Sequence, residues 1–294
     1  MTYRELLTIG TALLEQVILD DAETDAAFLL EGAAGLCRQE LLLKSGKEVP
    51  ADVQECFMGF INRRAAHEPV QYILGEWEFM GLEFKVSPSV LIPRQDTETL
   101  VELCLEDLKK GVHNLPLSVL DLCTGSGCIA ISLRKLAEEA GLPLEVTATD
   151  ISGDALAVAC ENAKLSEVPI TFRQGDLFEA LPEGIEKFDI ITANPPYIAE
   201  SERKDLAPEI TEYEPELALF DGGDGTTVYA RILKDIEAYL KPNGRAYLEI
   251  GETQGDTLLA YCEKFLKGPY EAQIVRDLCG NPRVCKIVFG EKHV

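Results

Sequence analysis

The chain has 294 residues, which is enough for one large domain and a small one. Its hydrophobic content of 46% and charged content of 27% are typical of a soluble globular protein. The formal net charge of −24 argues against nucleic acid or an anionic membrane as a direct partner, because both are bound through clustered Lys and Arg. A basic protein or a neutral small molecule is the favoured partner.

The cysteine and histidine pattern indicates neither disulfides nor a metal site. The nine cysteines are an odd number without a CxxC pair, and His67, His113 and His293 are far apart in the sequence. Free cysteines suit a reducing cytoplasm. The N-terminus lacks the pattern of a signal peptide, and no segment approaches the roughly 18 apolar residues of a membrane span. We therefore expect a cytoplasmic protein that uses no metal.

Residues 1–74 are predicted to form a small helical bundle, because their apolar residues recur with helical spacing. The stretches with this pattern lie at 6–18, 26–30, 39–44 and 51–66. Thr24 or Asp25 is the expected cap of the second helix. Residues 75–95 are predicted to form a β-hairpin linker, in which Gly75 and Gly81 punctuate alternating apolar residues.

Strands and helices alternate over residues 96–294, which indicates a parallel sheet with helices on both faces. The predicted strands lie at 119–122, 144–149, 170–174, 189–193 and 245–250. The predicted helices lie at 96–108, 128–140, 153–163, 226–240 and 253–266. Two final strands, 271–277 and 283–289, are expected to pair antiparallel, which is the usual end of a class I methyltransferase. The predicted fold class is thus α/β, with an N-terminal helical bundle and a hairpin linker. The final antiparallel hairpin favours the class I (Rossmann-like) methyltransferase form of this fold.

A glycine-rich loop follows the first sheet strand and reads Asp121-Leu122-Cys123-Thr124-Gly125-Ser126-Gly127. Its two glycines let a ligand approach the backbone closely, and the helix that follows offers free N–H groups. An NAD site prefers a third glycine, and Ala130 stands at that position. An ordinary βα turn also explains the two glycines taken alone.

Two aspartates at later strand ends favour S-adenosylmethionine as the cofactor. Asp150 can accept hydrogen bonds from ribose hydroxyls, which both cofactors carry. Asp176 can accept the adenine amino group while Leu177 packs on the ring, and an anionic site suits a sulfonium cation better than a pyrophosphate. Each aspartate alone is also explained as a turn or capping residue. The candidate cofactor residues are Cys123, Thr124, Gly125, Ser126, Gly127, Asp150, Asp176, Leu177 and Asn194.

The motif Asn194-Pro195-Pro196-Tyr197 follows a predicted buried strand, at the edge of the sheet where α/β proteins bind ligands. Neither proline can donate a backbone hydrogen bond, so the turn presents the side-chain oxygen of Asn194 and the carbonyl of Pro195 as acceptors. Tyr197 adds an aromatic face. This combination suits a planar group that carries an NH2, either an amide or a nucleobase. A plain turn with Asn as a turn residue is the alternative.

With these motifs in order, the chain resembles the HemK/PrmC family of protein-(glutamine-N5) methyltransferases, which modify peptide chain release factors. Residues 68–75 (EPVQYILG) resemble the family's linker signature. Residues 91–98 resemble its LIPRPDTE motif, with Gln95 in place of the middle proline. Residues 214–219 and 277–284 resemble later family blocks. In the family's DLGTGTG loop, Cys123 stands at the first glycine and Ser126 at the second threonine.

The resemblance implies methyl transfer from S-adenosylmethionine, with S-adenosylhomocysteine as product, to the glutamine of the release-factor GGQ motif. Asn194 and Pro195 would hold the amide NH2, Pro196 would keep the turn stiff, and Tyr197 would stack on the amide. No general base is required. We expect a monomer. Its helical bundle is expected to bind a basic surface of the release factor through acidic side chains. The alternative is that the bundle only stabilises the catalytic domain.

Three further residues and two other functions are left open at this point. Arg94 and Asp96 either contact the substrate or hold the hairpin to the core, and the structural role is favoured. Glu249 is interpreted as a buried residue with a hydrogen-bond partner. A DNA adenine or rRNA methyltransferase would also present a planar NH2 to such a motif, but would need to hold a polyanion. A non-catalytic S-adenosylmethionine-binding adaptor is the remaining alternative.

Overall fold

A computed structural model describes residues 1–18, 21–110 and 116–290, so that His113 and His293 lie outside the described residues. The chain divides into two compact units. Residues 1–76 and 207–213 form the first unit, and 77–206 with the chain from 214 onward form the second. Within the described ranges, no helix has the length and apolar character needed to cross a membrane. The three-part division at 74 and 95 stays a prediction.

The first unit is helical, as its apolar periodicity predicts. Its helices are α1 (Tyr3–Leu14), α2 (Ala22–Ala34), α3 (Arg38–Leu43), α4 (Ala51–Ala65) and α5 (Val70–Leu74). A capping box between Thr2 and Glu5 opens α1. Leu6, Leu29 and Phe57 are among the buried residues at the centre of the unit.

The predicted cap of α2 is wrong, because the helix begins at Ala22, three residues before Asp25. Asp25 is buried in the first unit and its Oδ2 lies 2.6 Å from Nε of Arg64. The side chain thus partners a long-range arginine, which local sequence does not reveal. Nη1 of Arg64 also lies 2.6 Å from Oε2 of Glu209, which belongs to a later segment of the same unit.

A short hairpin, β1 (Glu76–Phe79) with β2 (Leu82–Lys85), lies within the predicted linker. Met80 and Gly81 both have positive φ at its turn. Asn162 anchors the second strand, because its Oδ1 accepts from N of Lys85 at 2.7 Å and its Nδ2 donates to the Lys85 carbonyl at 3.0 Å. The same Nδ2 donates to the carbonyl of Ser126 in the glycine-rich loop, at 2.9 Å.

A seven-stranded sheet forms the centre of the second unit and confirms the predicted fold class. Its strands are β3 (Leu117–Leu122), β4 (Leu144–Asp150), β5 (Thr171–Gln174), β6 (Phe188–Ala193), β7 (Leu240–Glu249), β8 (Tyr270–Arg276) and β9 (Pro282–Phe289). Their order is β5-β4-β3-β6-β7-β9-β8. All pairs are parallel except those of β9, which runs antiparallel to β7 and β8.

Helices cover both faces of this sheet. They are α6 (Gln95–Lys110), α7 (Cys128–Glu139), α8 (Gly153–Leu165), α11 (Thr227–Tyr239) and α12 (Gly255–Phe265). Of two shorter helices, α9 (Pro208–Tyr213) belongs to the first unit and α10 (Glu216–Leu219) to the second. One apolar core lies between the sheet and α6, α7 and α8. A second lies between the sheet and α11 and α12.

The structure departs from the predicted elements at β7 and after β6. β7 already begins at Leu240, because its register with β6 jumps from Phe188↔Leu240 to Ile190↔Arg245. The bulge absorbs residues 241–244, which sequence had indicated as a connection. Short helices at 200–205, 208–213 and 216–219 were not predicted, since elements of four to six residues show no helical period.

Replacing Gly127 by alanine is expected to destabilise the second unit. Gly127 has φ +82°, and a Cβ there would lie 2.8 Å from Cδ1 of Ile131 and 3.2 Å from Cβ of Ala159. Gly127→Ala should lower the free energy of unfolding by about 1–3 kcal/mol in urea titrations. Gly59→Ala is the control with the opposite sign, because Gly59 lies in α4 with open space around it. Equal stability of the two variants would contradict this expectation.

Candidate active site

A cavity of about 250 Å³ lies in the second unit, at the carboxyl ends of the parallel strands. This is the edge at which α/β sheets bind ligands. Nine predicted site residues line it: Cys123, Thr124, Gly125, Ser126, Asp150, Asp176, Leu177, Asn194 and Pro196. Three others, Gly127, Pro195 and Tyr197, are not among the lining residues.

The glycine-rich loop is held in a tight turn by its own backbone. N of Thr124 donates to the carbonyl of Thr149 at 2.9 Å, and N of Gly127 donates to the Thr124 carbonyl at 2.8 Å. Cys123 and Gly125 have φ values of +56° and +55°, so the loop requires a left-handed conformation at both. Desolvation raises the pKa of the Cys123 thiol well above its usual range, so the group stays neutral.

Asp121 fixes this loop to β6, a role that sequence reasoning missed. The carboxyl is fully buried, with Oδ2 accepting from the hydroxyl of Thr124 at 2.6 Å and Oδ1 from that of Thr192 at 2.7 Å. Burial raises the pKa of Asp121 to about 7, against the effect of both hydrogen bonds. An aspartate inside an otherwise apolar strand was the available signal.

Asp150 is oriented by two backbone amides. Its Oδ2 accepts from N of Gly125 at 2.8 Å and its Oδ1 from N of Ser152 at 2.9 Å. A carboxylate has about four acceptor positions, so acceptor capacity beyond these amides remains for a ligand in the cavity that Asp150 lines. Burial is the largest influence on the pKa of Asp150 and raises it.

Asp176 has a partner that the sequence did not reveal. Its Oδ2 lies 2.7 Å from Nη2 of Arg231, which projects from α11 and also lines the cavity. Both side chains are more than one-third exposed. Leu177 beside it is buried and has φ +50°. The predicted acceptor and the apolar contact therefore lie together on the wall of the cavity.

The motif after β6 divides its residues between the cavity and the core. Asn194 and Pro196 line the cavity, and Nδ2 of Asn194 donates to Oγ1 of Thr97 at 3.4 Å. Pro195 is buried, and Tyr197 packs against the core formed with α11 and α12. Burial raises the pKa of Tyr197 to about 12. The stacking role assigned to Tyr197 stays a prediction.

A buried carboxylate holds the segment that carries the LIPR residues. The Glu214 side chain is 1% exposed; it accepts from N of Ile92 at 3.2 Å and forms an ion pair with Arg94. Arg94 also lines the cavity, as do Leu91 and Pro93 of the same segment. Asp96 is exposed and pairs with Arg283 at 3.0 Å, which connects α6 to β9. The structural role of Arg94 and Asp96 stays a prediction.

Acceptors dominate the charged groups around the cavity. Asp150, Asp176 and Asp221 line it, and the two lining arginines, Arg94 and Arg231, are each paired with a carboxylate. Such a wall suits a cationic ligand better than a polyphosphate. No group of three or more potential metal ligands occurs among the residues that the structure describes.

The fold and this site define a methyltransferase of the class I type. Residues 96–255 match the family model described as "Methyltransferase small domain", and residues 5–75 match the "PrmC N-terminal domain". A solved methyltransferase structure from Pyrococcus furiosus is similar to this chain with a TM-score of 0.50 and 18% identity. The likeness covers 71% of this chain and 89% of that one, and it supports the fold.

Two curated relatives identify the family more narrowly. A release factor glutamine methyltransferase from Geobacter sulfurreducens is 40% identical over 88% of this chain and 87% of its own length. A second, from Koribacter versatilis, is 36% identical over 99% of both chains. The chain belongs to the release factor glutamine methyltransferase family.

The Arg94–Glu214 pair is expected to respond unequally to the loss of either partner. Arg94→Met leaves a carboxylate buried without its charge partner, and should lower the free energy of unfolding by about 2–3 kcal/mol. Glu214→Gln keeps an acceptor for Ile92 and leaves an arginine whose side chain is 37% exposed and can be hydrated. Its cost should be below about 1.5 kcal/mol. Urea titrations measure both, and a larger loss in Glu214→Gln would contradict the assignment of Glu214 as the buried anchor.

Proposed function

We propose that this chain transfers a methyl group from S-adenosylmethionine to the side-chain amide nitrogen of the glutamine in the GGQ motif of release factors. Membership of the family supports the reaction. The observation that supports the site most directly is that Asn194 lines the same cavity as Gly125, Asp150 and Asp176. A hydrogen-bond acceptor for an amide and the candidate cofactor residues therefore share one enclosed space.

The residues around the cavity fit S-adenosylmethionine. Asp150 has acceptor positions left for ribose hydroxyls, and Asp176 with Leu177 offers an acceptor beside an apolar surface for adenine. The open space at Gly125 leaves the backbone accessible to a ligand. When bound, this cofactor supplies an electrophilic methyl group on a sulfonium and leaves as S-adenosylhomocysteine. The lining carboxylates favour that cation, because the two lining arginines are each neutralised by a carboxylate partner.

The residues after β6 would prepare the amide. A glutamine nitrogen is a weak nucleophile because its lone pair is delocalised into the carbonyl. Oδ1 of Asn194 and the Pro195 carbonyl would each accept one N–H, which fixes the NH2 group and directs its nitrogen. Both acceptors also stabilise the positive charge that develops on nitrogen. The proton is released to water afterwards, so no side chain serves as a general base.

The partners follow from the same proposal. The release factor is the protein substrate, and the helices of the first unit would bind it through their acidic surface. We propose a monomeric enzyme in the cytoplasm, without metal and without direct contact to nucleic acid. The net charge of −24 supports the choice of a protein over a nucleobase substrate.

The proposed function is tested by incubating the protein with S-adenosylmethionine and a purified release factor. Mass spectrometry of the peptide that contains Gly-Gly-Gln should show a gain of one methyl group on the glutamine. Parallel incubations with duplex DNA and with rRNA should show no transfer. A methyl group on a nucleobase, with an unmodified release factor, would overturn the proposal. Binding of the cofactor with no transfer to any of the three would favour the adaptor.

Asn194→Ala is expected to remove transfer while the cofactor still binds. Loss of an acceptor that holds the reacting group should lower kcat by at least about a hundredfold. Isothermal titration with S-adenosylhomocysteine should give a nearly unchanged Kd, because the other candidate cofactor residues remain in place. Asn243→Gly is the matched control, because it also removes an amide side chain, at a left-handed position near the start of β7. A variant at Asn194 with near-normal turnover would sink the proposed positioning of the amide.

A further inference from the structure

Glu249 is a buried carboxyl that the proposed mechanism does not yet use. It is the last residue of β7 and is 1% exposed. Its Oε2 is buried and has no hydrogen-bond partner among the described residues. Burial of a carboxyl is unfavourable unless hydrogen bonds or an opposite charge compensate for the lost hydration. The groups around Glu249 therefore indicate its role.

The sheet register places Glu249 beside Asn194. β6 and β7 are parallel, and Ala193 pairs with Leu248. The next residue on each strand is Asn194 on one and Glu249 on the other, and in neighbouring parallel strands such residues project from the same face. Thr97 of α6 covers that face, is 2% exposed, and accepts from Nδ2 of Asn194 at 3.4 Å.

The NH2 group and the Oδ1 atom of the Asn194 amide therefore lie in different surroundings. Its NH2 is directed to the hydroxyl of Thr97 and to the carboxyl of Glu249, both of which can accept. An ionised carboxylate is an acceptor only and cannot donate to an amide oxygen. The opposite rotamer would place Oδ1 against this carboxylate. It would also lose the contact with Thr97, because the Thr97 hydroxyl already donates its proton to Glu249. The remaining side of Asn194 lies on the cavity wall.

We propose that Glu249 is a positioning residue, which fixes the Asn194 amide so that Oδ1 faces the cavity and its substrate NH2. This inference rests on the proposed function, because it specifies how that site holds its acceptor. Glu249 itself is not among the residues that line the cavity. Its effect on turnover acts through the orientation of Asn194.

The protonation state of Glu249 links this role to pH. Burial raises the pKa of Glu249 to about 7, while hydrogen bonding to Thr97 and Asn194 and the charge of Arg283 oppose that rise. The groups that face it from neighbouring elements are Asp96 of α6, Cys128 of α7, Tyr197 after β6, Tyr229 of α11 and Arg283 of β9. Below the pKa, the carboxyl gains an O–H that can donate to Oδ1 of Asn194. The amide can then reverse, and transfer falls.

Glu249→Gln tests the inference, because it replaces an acceptor-only group by one of the same shape that both donates and accepts. We expect kcat for release-factor methylation to fall by about tenfold to a hundredfold. The Kd for S-adenosylhomocysteine should stay unchanged. Tm should not fall, because burial disfavours the ionised carboxyl and glutamine is a neutral group of the same shape. The kcat of the unmodified enzyme should decline as pH falls below about 7. That decline should be absent in Glu249→Gln.

Two further variants keep the test decisive. Asp189→Asn makes the same carboxylate-to-amide change at the other end of β6, where Asp189 pairs with Lys241, and should retain kcat. Thr97→Val removes the other acceptor for the Asn194 NH2 and should lower kcat without weakening cofactor binding. Failure of the unmodified enzyme to methylate a release factor would count against the proposed function. The role of Glu249 would be overturned if the unmodified enzyme methylates normally and Glu249→Gln has the same kcat and the same decline of kcat at low pH. A parallel loss of Tm and cofactor affinity would reduce it to a structural residue.

Discussion

Parallel pairing of β3, β4, β6 and β7 is the constraint on which the site depends. Leu122 pairs with both Thr149 and Ala193, and Ala193 pairs with Leu248. The next residue of each strand therefore reaches one edge of the sheet in register. The glycine-rich loop, Asp150, Asn194 and the buried carboxyl of Glu249 come together there. They are far apart in sequence, and a shift of one residue in the pairing of any of these strands would separate them.

Buried carboxyls at this edge give orientation at a cost in stability. Asp121 and Glu249 both have a pKa raised to about 7 because burial outweighs their hydrogen bonds. Hydroxyls of neighbouring threonines surround them: Thr124 and Thr192 for Asp121, and Thr97 for Glu249. An apolar residue would pack there more cheaply, but it could not direct a hydroxyl or an amide. Burial of these carboxyls lowers the stability of the fold, and their hydrogen bonds orient the neighbouring polar groups.

Local sequence predicted the elements whose physics is local. The strands at 188–193 and 117–122 are apolar runs bounded by turns, and the long helices carry a clear period. Local sequence could not predict interactions between residues that are distant along the chain. Asp25 was expected to cap a helix and instead pairs with Arg64, and Asp176 is paired with Arg231 from α11. The tight turn after β3 was predictable because glycines mark left-handed backbone, yet Cys123 adopts the same conformation although it is not a glycine.

The segment Pro208–Tyr213 has a consequence for the order in which the protein is made. It belongs to the first unit, where Glu209 pairs with Arg64 and the hydroxyl of Tyr213 donates to the carbonyl of Ala66, a residue 147 positions earlier. Domains made first on the ribosome generally fold first. The bundle of this protein emerges early but lacks the second partner of its buried Arg64 until much of the sheet has been synthesised. Its completion is therefore tied to the translation of the domain that follows it.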